Sequence, residues 1–128
     1  MSVSVLLVED HEPSRAMLSE RLRRRGFEVW TAIDGRHAVA AALEHRPDII
    51  LMDLSLPSLD GVEAWRTICD MCDEPPPAIA MTACTIQDVQ SMCAELGFSA
   101  YVTKPCVFSE LVSEINRLVL RAPHLNIS

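Results

Sequence analysis

Apolar residues in this chain come in short runs that stop at polar groups, and between the runs they recur at three- and four-residue spacing. The run Ile49–Ile50–Leu51–Met52 is the clearest. It is all large and apolar, has Pro47–Asp48 before it and Pro57 after it, and ends on Asp53. A continuous run of this kind predicts a strand buried on both faces, as in parallel sheets covered by helices. Four further segments read as strands: Val3–Val8, Glu28–Ala32, Ala78–Met81 and Ala100–Thr103.

The intervening segments carry helical stripes. Met17, Leu18 and Leu22 mark a first helix, with Pro13 in its first turn and Gly26 as its stop. Asp34–Gly35 reads as a turn, followed by an alanine-rich helix over Arg36–His45 that Pro47 ends. After Gly61, the residues Val62, Trp65, Cys69 and Cys72 form the stripe of a third helix, broken by Pro75–Pro76–Pro77. Thr85, with Asp88 three residues on, approximates a capping box for a fourth helix burying Ile86, Val89, Cys93 and Leu96. Phe108, Leu111, Ile115 and Leu118 mark a fifth, ending near Arg121.

Strands that alternate with helices and cross over right-handedly predict an α/β fold: a single doubly wound (βα)5 domain. Its five-stranded parallel sheet would run in the order 2-1-3-4-5 with helices on both faces. The 128 residues suit one domain, taken as 1–122, and residues 123–128 form a short tail with no room for an output domain.

Composition narrows the function. A net charge of −7 argues against direct contact with nucleic acid. No apolar run approaches the ~20 residues of a membrane span, and acids stand where a signal peptide carries bases. The expectation is a cytoplasmic protein with no membrane partner. Five scattered cysteines suit free thiols in a reducing compartment. Arg23–Arg24–Arg25 reads as a solvated helix end facing the macrodipole, and Lys104 is the chain's single lysine.

The predicted strand ends carry the chemistry. Strand one runs into Glu9 and Asp10, strand three into Asp53, strand four into Thr82 and strand five into Lys104. In a parallel sheet all of these converge on one rim. Clustered carboxylates repel and raise one another's pKa unless a cation intervenes, and a hard divalent ion such as Mg²⁺ fits that need. Acids, a metal, an ammonium and a hydroxyl form a set able to receive a phosphoryl group. Asp53 is then the nucleophile, Glu9 and Asp10 the metal ligands, and the Ser55 backbone carbonyl a further ligand.

The segments VLLVED, IILMDLSLPSLDG, AMTA and AYVTKP followed by EL resemble the receiver domain of bacterial two-component response regulators of the chemotaxis type. The resemblance covers residues 3 to about 121. It implies Asp53 as the Mg²⁺-dependent phosphoacceptor, with Mn²⁺ able to substitute, and Glu9 and Asp10 as the acid pair. It further implies phosphoryl-binding Thr82 and Lys104, a switch aromatic at Tyr101, and a cis bond at Lys104–Pro105. Ser55 and Cys84 fall at positions that tune the lifetime of the phosphoryl group. The implied donor is a histidine kinase or histidine phosphotransfer protein. The implied output face is made by helix four, strand five and helix five. Ser99 and Ala100 stand where one subclass has acids for a salt-bridged dimer, which argues against that dimer here.

Plainer readings cover the remaining motifs. Cys69-x-x-Cys72 lies on an apolar stripe at a helix end, where core packing is the expectation. His11 reads as a solvated loop histidine, and Trp30 and Trp65 as packing residues. Rival functions are a receiver module from a larger hybrid kinase or DNA-binding regulator, and a phosphate-independent interaction module. A haloacid-dehalogenase-type phosphatase needs a second acid where this chain has Ser55. The expectation is a phosphoacceptor that assists only its own phosphorylation and slow dephosphorylation, with no other enzymatic activity.

Overall fold

The computed structural model describes residues 2–54, 60–83 and 94–121. Its elements are β1 (Ser4–Val8), α1 (Glu12–Arg24), β2 (Glu28–Ala32), α2 (Gly35–His45), β3 (Ile49–Asp53), α3 (Asp60–Met71) and β4 (Ala78–Thr82). Residues 94–96 are the described part of α4, followed by β5 (Ala100–Thr103) and α5 (Phe108–Arg121). The strands form one all-parallel sheet in the order β2-β1-β3-β4-β5, the order expected for the fold. The expected cap of α4 at Thr85, with Ile86, Asp88, Val89 and Cys93, and the tail beyond Arg121 lie outside the described residues.

Strand residues alternate between two cores, as a pleated sheet requires. Leu6, Val8, Ile50, Met52, Ala78 and Ala80 face α2 and α3 and meet Ala38, Ala42, Ala64, Trp65 and Ile68. Val5, Leu7, Ile49, Leu51, Ile79 and Met81 face α1 and α5 and meet Leu22, Leu111, Ile115 and Val119. Every residue of β3 and β4 is buried, which accounts for their unbroken apolar character.

The helix ends show where local chemistry refines the pattern. Asp34 is the N-cap of α2, and its side chain accepts from the His37 backbone N–H at 2.8 Å. The expected turn is therefore a cap, and the helix starts at Gly35 rather than Arg36. Pro13 sits in the first turn of α1, and Gly26 at φ +93° follows its end. The buried stripe of α3 is Ala64, Trp65 and Ile68, turned slightly from the expected Val62, Trp65, Cys69 and Cys72. Cys72 lies just past the helix, its N–H bonded to the Ile68 carbonyl at 3.0 Å, and Cys69 and Cys72 pack against the core's edge.

Candidate functional site

The carboxyl edge of the sheet gathers the polar strand ends. Glu9 follows β1 directly, and its N–H extends the ladder to the Ala32 carbonyl at 3.0 Å. Val8 pairs with Met52, so Glu9 emerges beside Asp53, the last residue of β3. Asp53 pairs with Met81, and Thr82 with Thr103, which puts Lys104 one step beyond Thr82. The Lys104 N–H donates to the Thr82 carbonyl at 2.8 Å, and the Lys104–Pro105 bond is cis.

Burial singles out the same residues. Among the described residues, the buried polar or charged ones are Glu9, Ser19, Asp53 and Thr82, and three of the four stand on this rim. Buried ionisable groups are costly unless paired. The Lys104 ammonium supplies the pairing, 2.6 Å from Asp53 Oδ2 and 3.0 Å from Glu9 Oε1. One cation thus bridges two carboxylates from different strands.

The pKa directions follow from this crowding. Burial raises the Glu9 carboxyl above its ordinary value, and the hydrogen bond and charge of Asp53 add to the rise. Lys104 and the His11 N–H oppose that rise without cancelling it. For Lys104, burial alone favours the neutral amine, but bonds to and charges on Asp53 and Glu9 outweigh burial and raise its pKa. Glu9, Asp10 and Asp53 each offer a carboxylate oxygen, and these oxygens lie within 4.8 Å of one another. Asp10 is the exposed member, facing solvent from which an ion would arrive.

An all-oxygen set of three acids against one ammonium leaves negative charge uncompensated. That set fits a hard divalent cation, which takes carboxylate oxygens alongside water and phosphate oxygens. Asp53 also forms the point where a phosphoryl group could be received, with Lys104 already within bonding reach.

The other expected site residues are distributed as follows. Thr82 is buried at the end of β4. Tyr101 is half-buried on β5, opposite Ala80, and packs against the core that faces α2 and α3. Ser55 and Cys84 lie outside the described residues.

Three residues carry more than the sequence pattern reveals. His11 is exposed, as expected of a loop histidine, yet it is also the N-cap of α1. Its Nδ1 lies 2.7 Å from Ser14 Oγ and accepts from the Ser14 N–H at 3.4 Å. Arg15 donates from one guanidinium nitrogen to the carbonyls of Glu9 and Asp10, at 3.0 and 3.4 Å. Gly61 stands so close to the phosphoacceptor candidate that an added Cβ would lie 3.2 Å from the Asp53 carbonyl oxygen. No motif signals these contacts, because each depends on where a loop folds back.

The comparisons agree with this arrangement. The family model "Response regulator receiver domain" matches residues 5–116. The chain belongs to the receiver-domain family of response regulators.

This receiver domain is 38% identical over 120 residues to the transcriptional regulatory protein PrrA of Mycobacterium tuberculosis. That match takes in 94% of this chain and 51% of PrrA, so the chain spans about half the length of the curated relatives it matches. Among solved structures it resembles the receiver domain of the sensor histidine kinase PA1611 from Pseudomonas aeruginosa PAO1. The match is 35% identical with a TM-score of 0.82, over 93% of this chain and 98% of that one. That structure has a magnesium ion coordinated in its active-site cleft. The receiver domain of Ssk1 from Saccharomyces cerevisiae, solved with the histidine phosphotransfer protein Ypd1, is 29% identical with a TM-score of 0.84. It covers 93% of this chain and 90% of that one.

The module is thus one of two-component signalling, with an acidic pocket compatible with Mg²⁺ and an aspartyl phosphate. Among the described residues no helix is long and apolar enough to cross a membrane.

Proposed function

We propose that this receiver domain is a phosphorylation-controlled switch that takes a phosphoryl group onto Asp53. The carrying observation is the bridge from Lys104 to both Asp53 and Glu9 beside a second exposed acid, Asp10. A carboxylate oxygen of Asp53 attacks the phosphorus of a phosphohistidine or a small acyl phosphate. The donor's P–N or P–O bond breaks, the leaving group keeps the electron pair, and Asp53 becomes an acyl phosphate. Donors of the first kind are histidine kinases and histidine phosphotransfer proteins.

Glu9, Asp10 and Asp53, with the backbone carbonyl of Ser55, hold Mg²⁺ in this reading, and Mn²⁺ can substitute. When bound, the ion neutralises charge on the transferring oxygens. Lys104 then turns its ammonium to a phosphoryl oxygen, and Thr82 donates its hydroxyl to another. The inward move of Thr82 makes room for Tyr101 to rotate, altering the face formed by α4, β5 and α5. Couplings of this type are worth ~1–3 kcal/mol, enough to shift a two-state equilibrium. Ser55 and Cys84 set how long the acyl phosphate survives. The protein performs its own phosphorylation and slow dephosphorylation, acting in the cytoplasm on no other substrate.

The half-length match to PrrA supports a companion reading, in which the same switch governs further domains of a longer chain. The site chemistry is identical in both.

Incubation with Mg²⁺ and acetyl phosphate tests the proposal by intact-mass spectrometry. An adduct of ~80 Da that hydroxylamine removes is expected, as an acyl phosphate requires. It should be absent in EDTA and in Asp53→Asn. An adduct of equal yield in that variant would overturn the assignment.

A further inference from the structure

The carbonyls of Glu9 and Asp10 lie where the chain has left the β1 ladder and not yet entered α1. Backbone groups in such a gap take partners from side chains or water. Both are met by one group: an Arg15 guanidinium nitrogen, 3.0 Å from the Glu9 oxygen and 3.4 Å from the Asp10 oxygen. Arg15 lies in the first turn of α1, and its own N–H is bonded to the His11 carbonyl at 2.9 Å. A cation in a first turn opposes the helix macrodipole, so helix stability gives no reason for arginine at this position. Its bonds to the loop do.

We propose that Arg15 is the positioning residue for the metal-binding acids. It clamps the backbone of residues 9 and 10, so that the exposed Asp10 carboxylate is held against Glu9 and Asp53 before any ion arrives. The inference rests on the reading of these acids as a divalent-cation site. Glu9 is fixed twice over without Arg15, by burial and by Lys104. Asp10 is exposed, and its carbonyl accepts from Arg15 at 3.4 Å.

The sign of the effect separates this role from simple electrostatics. If Arg15 acted only as a nearby positive charge, removing it would tighten cation binding. If it positions Asp10, removing it loosens binding, as when groups orienting metal ligands are lost. The test is Mn²⁺ titration of the full chain, with free Mn²⁺ read by electron paramagnetic resonance and folding checked by circular dichroism. Arg15→Met should bind Mn²⁺ about tenfold more weakly, at the lower end of such losses. Arg15→Lys keeps the charge but loses the planar fork, and should recover only part of the affinity. Ser14→Ala, which disturbs the α1 cap without touching either carbonyl, should bind as wild type does.

Wild-type or tighter affinity in Arg15→Met overturns the proposal. If that variant does not fold, full affinity in Arg15→Lys overturns it equally. Asp10→Asn distinguishes the two levels of failure. Should it bind Mn²⁺ as well as wild type, the cation site itself falls and the clamp with it. Should it lose binding while both Arg15 variants keep theirs, only the clamp falls.

Discussion

Lys104 places its ammonium 2.6 Å from the carboxylate of Asp53, a residue 51 positions earlier in the chain. The same ammonium lies 3.0 Å from Glu9, so the chain's single lysine pairs with two buried acids at once. Removing it leaves those acids facing each other. Lys104→Met should destabilise the metal-free protein by about 2 kcal/mol. That is less than the 3–5 kcal/mol of a fully buried pair, because this lysine is partly exposed. Urea unfolding measures the loss, and millimolar Mg²⁺ should restore much of it by taking over the neutralisation.

Glu9 gives the site a pH dependence of definite sign. Its folded pKa is raised above the ordinary value, chiefly by burial and then by Asp53. The folded state therefore holds the Glu9 proton more tightly than the unfolded chain does. The stability linked to that proton is complete below the unfolded value and is lost as pH rises through the folded one. Melting temperatures in EDTA should fall across that window on the alkaline side of the ordinary carboxylate range. Glu9→Gln, which cannot ionise, should flatten the profile and melt higher than wild type at neutral pH. The same variant should bind Mg²⁺ more weakly, trading function for stability.

At the opposite end of the scale, Lys104 has a raised pKa because Asp53 and Glu9 outweigh its burial. Its contribution is present below the unfolded lysine value and disappears only as pH rises through the still higher folded value. Alkaline unfolding monitored by circular dichroism should begin at lower pH in Asp53→Asn, where one of the two supporting carboxylates is gone.

Gly61 is constrained by its approach to the Asp53 carbonyl, not by its backbone angles. An alanine Cβ would stand 3.2 Å from that oxygen and 3.4 Å from Leu54 Cδ2. That oxygen belongs to the main chain of a buried strand residue, so it cannot swing aside as the tip of a flexible side chain can. Alanine's better helix propensity is worth ~1 kcal/mol, whereas overpacking costs about 1–3 kcal/mol. Gly61→Ala should therefore lower the urea midpoint and slow phosphorylation of Asp53.

Trp65 joins α3 to the end of α4. Its indole N–H donates to the Leu96 carbonyl at 2.8 Å, and its ring stacks on Phe98 with centroids 5.3 Å apart. Trp65→Phe should cost about 2 kcal/mol in chemical unfolding, from the lost bond and the space left behind.

The fold was legible because burial on both sheet faces writes itself as unbroken apolar runs, as in Ile49–Met52 and Ala78–Met81. The convergence of Glu9, Asp10, Asp53 and Lys104 was legible for a related reason. Once the strands are parallel, their ends must share an edge. What the pattern could not reveal depends on side chains reaching back. His11 caps α1 through a ring nitrogen, a role ordinarily taken by Ser, Thr, Asp or Asn. Asp34 resembled a turn residue because capping and turning use the same short polar side chains. Trp30 stacks face to face on His45, 3.7 Å between centroids, a pairing set by the meeting of β2 with the end of α2. Arg15 contacts carbonyls, which carry no sequence signature at all.

The central claim is that Asp53 itself becomes the acyl phosphate, and borohydride mapping tests it most directly. After reaction with acetyl phosphate and Mg²⁺, borohydride reduces an aspartyl phosphate to homoserine, and peptide mass spectrometry locates the change. Homoserine at position 53, dependent on both acetyl phosphate and Mg²⁺, is the expected result. Conversion at Asp10, Glu9 or any other acid, with position 53 unmodified, would contradict it.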